Sequence, residues 1–229
     1  MSVVDNLCYI LYIFTTSVMF FLTGGGKMAA ESIVFDFGGV LIDWNPRYLY
    51  RKVFRDEAEM EYFLSHVCTP EWNAALDKGK PFRQGVEELL PLYPGYAEEI
   101  KMYDTRWEEM CGDVIEGSVR LLRAAARHYP VYGLTNWSEE KFIITRPKHD
   151  FFDLFKGIVV SGVEKESKPD PELFKILIRR YGLDPEKTIF TDDSLPNIET
   201  AKRLGFQAIH FESPEKLKEE LLARGVVLD

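Results

Sequence analysis

A handful of polar residues in this chain each follow a short apolar run. Asp36 closes Ile33-Val34-Phe35 and is followed at once by Phe37-Gly38-Gly39. Thr135-Asn136 follows Val131–Leu134, and Lys168 lies in Glu166-Ser167-Lys168-Pro169-Asp170, beyond Gly157–Val160. Asp192-Asp193-Ser194 follows Thr188–Phe190. A carboxylate just past a strand can act as a nucleophile toward phosphorus or carbon. Glycines after it mark a tight turn in which backbone amides approach a ligand. In phosphoryl transfer, Asp36 would attack, while Thr135 and the amides of Gly38, Gly39 and Asn136 would hold the phosphoryl oxygens. Lys168 would offset the negative charge. Asp36, Asp192 and Asp193 together make a hard oxygen cluster suited to Mg²⁺, which takes few protein ligands and keeps several waters. Such chemistry needs positioning and charge neutralisation above all.

These groups converge only if the apolar runs are parallel strands of one sheet, since loops at the carboxyl ends then share one edge. The pattern supports this. Strand-like runs at Ile33–Phe37, Val131–Leu134, Gly157–Val160, Thr188–Phe190 and Ala208–Phe211 alternate with amphipathic stretches at Ser118–His128, Pro171–Tyr181, Leu195–Leu204 and Pro214–Arg224. The alternation implies right-handed βαβ crossovers and a doubly wound α/β sheet. Asp170-Pro171 has the form of an N-cap followed by proline at the first helical position, and Gly182 and Gly205 stand where C-caps belong. Pro46 to about Gly112 shows helical patterns and no convincing strand, so residues 46–112 are expected to form a helical cap. Residues 32–45 and 113–229 would form the core.

Composition narrows the partners. The 229 residues carry a formal net charge of −9 with no basic stripe, which speaks against nucleic acid. Cys8, Cys68 and Cys111 have neither disulfide-framework nor zinc-site spacing, consistent with a reducing cytoplasm. Leu7–Leu22 is almost wholly apolar, but its sixteen residues fall short of the ~20 that span a bilayer, and the charge before it is Asp5 rather than a basic cluster. Residues 1–31 are expected to be an extension outside the fold, with Met28 as the natural start. A membrane anchor and an atypical signal peptide are the alternatives. The protein is expected to be a monomer or a homodimer.

From Ser32 onward the ordered set Asp36, Thr135, Lys168, Asp192-Asp193 resembles the haloacid dehalogenase-like (HAD) superfamily, subfamily I, with a helical C1-type cap. The resemblance implies a Rossmann-like core, an aspartyl-phosphate on Asp36 and a Mg²⁺ site to which the Gly38 carbonyl also contributes. It assigns the second-motif hydroxyl to Thr135, the third-motif lysine to Lys168 and the acidic metal motif to Asp192 and Asp193. One position departs. Where most phosphatases of the family carry an acid–base aspartate two residues after the nucleophile, this chain has Gly38, and it resembles a sugar-phosphate phosphatase-like subgroup that also has a small residue there. General acid–base assistance is typically worth ~10²–10⁴ in rate. The expected function is therefore a Mg²⁺-dependent phosphatase acting on a small phosphorylated metabolite, such as a sugar phosphate. A hydrolytic 2-haloacid dehalogenase and a catalytically weak phosphate-binding protein are the alternatives. Trp44, Asn45, Trp72, Phe82 and Arg83 are candidates for substrate contact, and His66 for the missing acid. Trp107 and Cys111 have the i, i+4 spacing of a buried helix face.

Overall fold

The computed structural model describes residues 29–229. The apolar run Leu7–Leu22 lies outside them. Among the described residues, no helix is long and apolar enough to cross a membrane. The described residues form seven strands: β1 (Ser32–Phe35), β2 (Ile42–Trp44), β3 (Cys111–Val114), β4 (Val131–Thr135), β5 (Gly157–Val160), β6 (Thr188–Asp192) and β7 (Gln207–His210). Five of them make one sheet in the order β5-β4-β1-β6-β7, with every pairing parallel. The fold is thus α/β and Rossmann-like. The five expected strands and the four expected helices are present, with Pro171–Tyr181 helical over its expected span.

Burial on both faces explains why these strands read as unbroken apolar runs. One face of the sheet packs Val34, Leu134, Val159 and Phe190 against Leu173, Phe174 and Leu177 of the helix Pro171–Tyr181 and against Ile198, Ala201 and Phe206. The other packs Ile33, Phe35, Val131 and Ile189 against Leu121, Leu122, Leu217 and Leu221. Helix ends follow the sequence cues. The Asp170 side chain accepts a hydrogen bond from the Glu172 N–H, and Gly182 ends that helix in the left-handed region at φ 64°. β1 is central. The chain runs outward from it through β4 to β5, then returns to its other side for β6 and β7, so the strand order reverses beside β1. Ligands of open α/β sheets sit at such a reversal, beyond the carboxyl ends of the strands.

Two features differ from the sequence reading. β2 and β3 form an antiparallel ribbon, Ile42 pairing with Val114 and Trp44 with Cys111, and the helices from Arg47 to Met110 are strung between its two strands. Cys111 therefore belongs to a strand, and Trp107 to a separate 3₁₀ turn (Trp107–Met110), not to one continuous helix. The ribbon hydrogen bonds of Trp44 and Cys111 compete with helix continuation and win. The helical block between them touches the rest of the chain through polar contacts. The Lys141 ammonium donates to Asp104 Oδ1 at 2.5 Å and sits 4.3 Å above the Phe82 ring, and Lys78 pairs with Glu166 at 2.9 Å.

Candidate active site

β1 ends at Phe35, and its neighbour β6 receives the next amide, Asp36 N–H donating to Thr191 O at 3.0 Å. Asp36 is thereby fixed at the carboxyl edge. The turn after it folds back tightly: the Leu41 and Ile42 amides donate to Phe37 O at 2.8 and 2.9 Å, and the Gly39 amide donates to Ile42 O at 2.8 Å. Gly39 has φ +73°, and a Cβ there would lie 2.3 Å from Asp193 Oδ2. Glycine is thus required twice over, for conformation and for the approach of Asp193. Because its amide closes the turn, Gly39 shapes the site rather than offering a donor to it. Gly38 differs, since a Cβ built there meets nothing within 4 Å. The Phe37 ring anchors the turn, packed edge-on to Phe152 and Phe155 at 5.1 and 5.2 Å.

Lys168 joins the carboxylates. Its ammonium lies 2.8 Å from Asp36 Oδ2 and 2.6 Å from Asp192 Oδ2, and donates to Leu134 O at 2.9 Å. The loop that delivers it is pinned by Asn136, whose Nδ2 donates to Lys168 O and whose Oδ1 accepts from the Lys168 N–H, both at 2.8 Å. Asp192 is fully buried, and its Oδ1 also accepts from the Ser194 amide and Asn197 Nδ2 at 2.8 and 2.9 Å. The ring of His210 at the end of β7 bonds to Asp193 O at 2.9 Å, which holds the backbone beside the cluster.

The electrostatics are those of a site short of positive charge. Burial drives the Asp36 carboxyl up to about 8; Lys168 opposes the rise, and the charges of Asp192 and Asp193 reinforce it. Burial alone would lower Lys168, but Asp192 and Asp36 outweigh it and hold the ammonium above its ordinary range. Desolvation and then Asp192 raise Asp193. Three carboxylates thus face one ammonium. Oxygens of Asp36, Asp192 and Asp193 lie within 4.8 Å of one another, a hard anionic set that fits a divalent cation such as Mg²⁺.

Above this cluster opens a cavity of about 210 Å³. Asp36, Gly38, Gly39, Asn136 and Asp193 line it from the sheet edge, Trp44 from β2 and Trp137 from the loop after β4. Asn73, Asp77 and Trp107 line it from the helical block. Thr135, Lys168 and Asp192 are buried. Thr135 Oγ1 and Trp137 Nε1 are among the buried polar atoms of the described residues that have no hydrogen-bond partner. Such orphans are rare in native structures and suggest an absent ligand or water. Of the expected substrate contacts, Trp44 lines the cavity. The others have local tasks: Trp72 Nε1 donates to Gly85 O, Asn45 Oδ1 accepts from the Arg47 amide, Arg83 pairs with Glu87 on the surface, and the Phe82 ring is buried. His66 is exposed and stacked on Tyr62 at 4.5 Å; it is not among the groups lining the cavity. Asn73, Asp77, Trp107 and Trp137 escape the sequence reading. The i, i+4 spacing of Asn73 and Asp77 was the one available signal for the first two.

Residues 30–205 match the family model of the haloacid dehalogenase-like hydrolases. The chain belongs to that family. It is therefore a hydrolase, as the ordered acids, hydroxyl and lysine imply. A sesquiterpene phosphatase of Aspergillus oryzae is 27% identical over 181 residues, 79% of this chain and 89% of that protein. A D-ribitol-5-phosphate phosphatase of Bacteroides thetaiotaomicron is 26% identical over 216 residues, covering 83% and 96%. Drimenol cyclase drtB of Aspergillus calidoustus is 24% identical over 198 residues, and the match spans only 36% of that longer protein. Among solved structures, a HAD family enzyme of Bacteroides thetaiotaomicron in complex with magnesium and inorganic phosphate superposes with a TM-score of 0.63 at 25% identity, covering 80% of this chain and 95% of the other. An L-2-haloacid dehalogenase of Xanthobacter autotrophicus shares the fold, with a TM-score of 0.59 at 16% identity over 86% and 84% of the two chains.

Proposed function

We propose that this protein is a Mg²⁺-dependent phosphatase that hydrolyses a small phosphorylated metabolite through an aspartyl-phosphate on Asp36. The observation that carries the reading is the juxtaposition of a nucleophile and a cation-hungry cluster at one cavity. Asp36 opens on the cavity, while Asp192 and Asp193 stand within 4.8 Å of it. The magnesium and phosphate bound by the Bacteroides enzyme fit the same assignment.

In this reading Asp36 Oδ attacks phosphorus, and the leaving alkoxide departs with a proton. Lys168 holds Asp36 and Asp192 in register and opposes the rise that burial imposes on the Asp36 carboxyl. The Thr135 hydroxyl, buried without a partner, donates to a phosphoryl oxygen, and the Gly38 and Asn136 amides complete that cradle. Asp36, Asp192, Asp193 and the Gly38 carbonyl would hold the metal, which when bound would supply positive charge. Residues 46–112 act as a cap over the core formed by 32–45 and 113–229, contributing Asn73, Asp77 and Trp107 to the cavity wall. About 210 Å³ is below the ~300–1,000 Å³ of drug-sized sites, which favours a small substrate. Sugar and polyol phosphates are the first class to screen. The dehalogenase reading is disfavoured by charge: halide displacement needs no metal, and the adjacent carboxylates repel without a cation.

The test is release of phosphate from p-nitrophenyl phosphate and from a panel of sugar phosphates, with metal removed and then Mg²⁺ restored. Metal-dependent turnover that disappears in Asp36→Asn is expected. Metal-independent turnover of 2-chloropropionate, or phosphate release that survives Asp36→Asn, would overturn the assignment.

A further inference from the structure

The phosphatase reading leaves the proton for the leaving group unassigned, because Gly38 has no side chain. We propose that Asp77, the last residue of the helix Pro70–Asp77, supplies that proton from across the cavity.

Asp77 shares the cavity with Asp36, Asp193 and Asn136. It is held there from both of its ends. Its backbone carbonyl accepts from Ser161 Oγ at 2.5 Å, and that same Oγ accepts from the Trp137 amide at 2.8 Å. Its side chain accepts from the Ser138 backbone amide and, at Oδ2, from Asn73 Nδ2 at 2.8 Å. Asn73 is oriented in turn by Tyr103, whose hydroxyl donates to Asn73 Oδ1 at 2.9 Å. The helix end is therefore docked on Trp137-Ser138, directly after the Thr135-Asn136 pair that faces the phosphoryl group. A carboxyl aimed by a fixed neighbour and opening on the same cavity as the nucleophile has the arrangement of a general acid. Its desolvation supports the role: burial pushes it up to about 7, so a substantial share of molecules hold the proton near neutrality. The neighbouring Trp137 Nε1–H, buried and unpartnered, provides a second donor on the same wall.

The step balances without a further reagent. As Asp36 Oδ forms its bond to phosphorus, the bond from phosphorus to the bridging oxygen breaks, and that oxygen takes the Asp77 proton to leave as the alcohol. The Asp77 carboxylate then accepts a proton from the water that attacks the aspartyl-phosphate, releasing inorganic phosphate and restoring both side chains.

The experiment compares wild type, Asp77→Asn and the double variant Asp77→Asn/Gly38→Asp in Mg²⁺, following release of the leaving group in rapid mixing. p-Nitrophenyl phosphate has a leaving group that needs no proton, and β-glycerol phosphate one that does. In Asp77→Asn, the p-nitrophenol burst should keep its wild-type rate while glycerol release falls ~10²–10⁴-fold. The space beside Gly38 admits an aspartate, so the double variant should recover glycerol release. A melting temperature near that of wild type would show that the helix remains docked. Equal slowing of both leaving groups, or no slowing of either, would overturn the proposal and leave Asp77 as a latch between helix and sheet. Absence of Mg²⁺-dependent release from any ester in the wild type would instead overturn the phosphatase reading itself.

Discussion

Replacing Lys168 with methionine removes the ammonium that the Asp36–Asp192 pair shares. The side chain is almost fully buried and bonds to Asp36 Oδ2, Asp192 Oδ2 and Leu134 O. Methionine fills similar volume, so the cost is electrostatic rather than steric. Removing one partner of a buried ion pair typically costs about 3–5 kcal/mol, because the other charge stays buried and uncompensated. Two carboxylates and a carbonyl lose their donor here, so the upper half of that range is expected in the absence of metal. At about 2–4 °C per kcal/mol for a chain of this size, the melting temperature should fall by roughly 8–20 °C. Two controls bear on the cause. Adding Asp36→Asn to Lys168→Met removes one of the stranded charges and should recover part of the loss. Mg²⁺ should stabilise Lys168→Met more than wild type, since a divalent cation takes over the missing neutralisation. Denaturant unfolding in EDTA and in Mg²⁺ measures all of these. A loss below about 1 kcal/mol, or a double variant less stable than Lys168→Met, would refute the view that the Lys168 ammonium compensates the buried Asp36–Asp192 pair.

Thr135→Val should separate stability from function. The Thr135 hydroxyl is buried without a partner, so its removal should raise stability by about 1 kcal/mol while weakening inhibition by inorganic phosphate, read by thermal melting and steady-state kinetics. Gly39→Ala should destabilise by about 1–3 kcal/mol and raise the Mg²⁺ concentration giving half activity, because the new Cβ meets Asp193 Oδ2 at a φ of +73°. Gly133→Ala drives a methyl to 2.3 Å from Phe37 Cζ and should cost about 1–3 kcal/mol in urea unfolding. Asp77 sets a pH dependence. Its carboxyl keeps its proton to about 7 in the fold and to about 4 in the unfolded chain, so the folded state binds more protons between those values and stability falls as pH rises through them. Asp77→Asn cannot ionise, and its stability relative to wild type should rise by up to about 4 kcal/mol from pH 4 to pH 8. A flat difference across that range would show that Asp77 ionises as freely in the fold as in the unfolded chain.

What could be read from the sequence follows a physical division. The five sheet strands are legible because both of their faces are buried, which writes each as an unbroken apolar run closed by a polar residue at the carboxyl edge. Asp36, Thr135 and Asp192 are such closing residues, so parallel topology alone brings them together. β2 and β3 are not legible in this way. Ile42–Trp44 is three residues long with Asp43 at its centre, and Cys111–Val114 contains a glycine and an aspartate, so neither shows a strand's period. Asp77 is the sharper case. An acid at a helix end beside Lys78 has the sequence appearance of an ordinary solvated residue, and its i, i+4 pairing with Asn73 occurs on many helix surfaces. What distinguishes it is the Ser161 hydroxyl on its carbonyl, 84 positions along the chain, and the Ser138 amide on its side chain. The absence at Gly38 is visible in the sequence and its replacement is not, because a strand end is fixed by local pattern whereas a residue reaching in from the cap is fixed by docking between segments far apart in the chain. If Asp77 does the acid–base work, cap and core must be docked at the moment of proton transfer. Weakening the Ser161–Asp77 contact with Ser161→Ala should then slow turnover of alkyl phosphates more than that of p-nitrophenyl phosphate, although Ser161 is not among the residues lining the cavity.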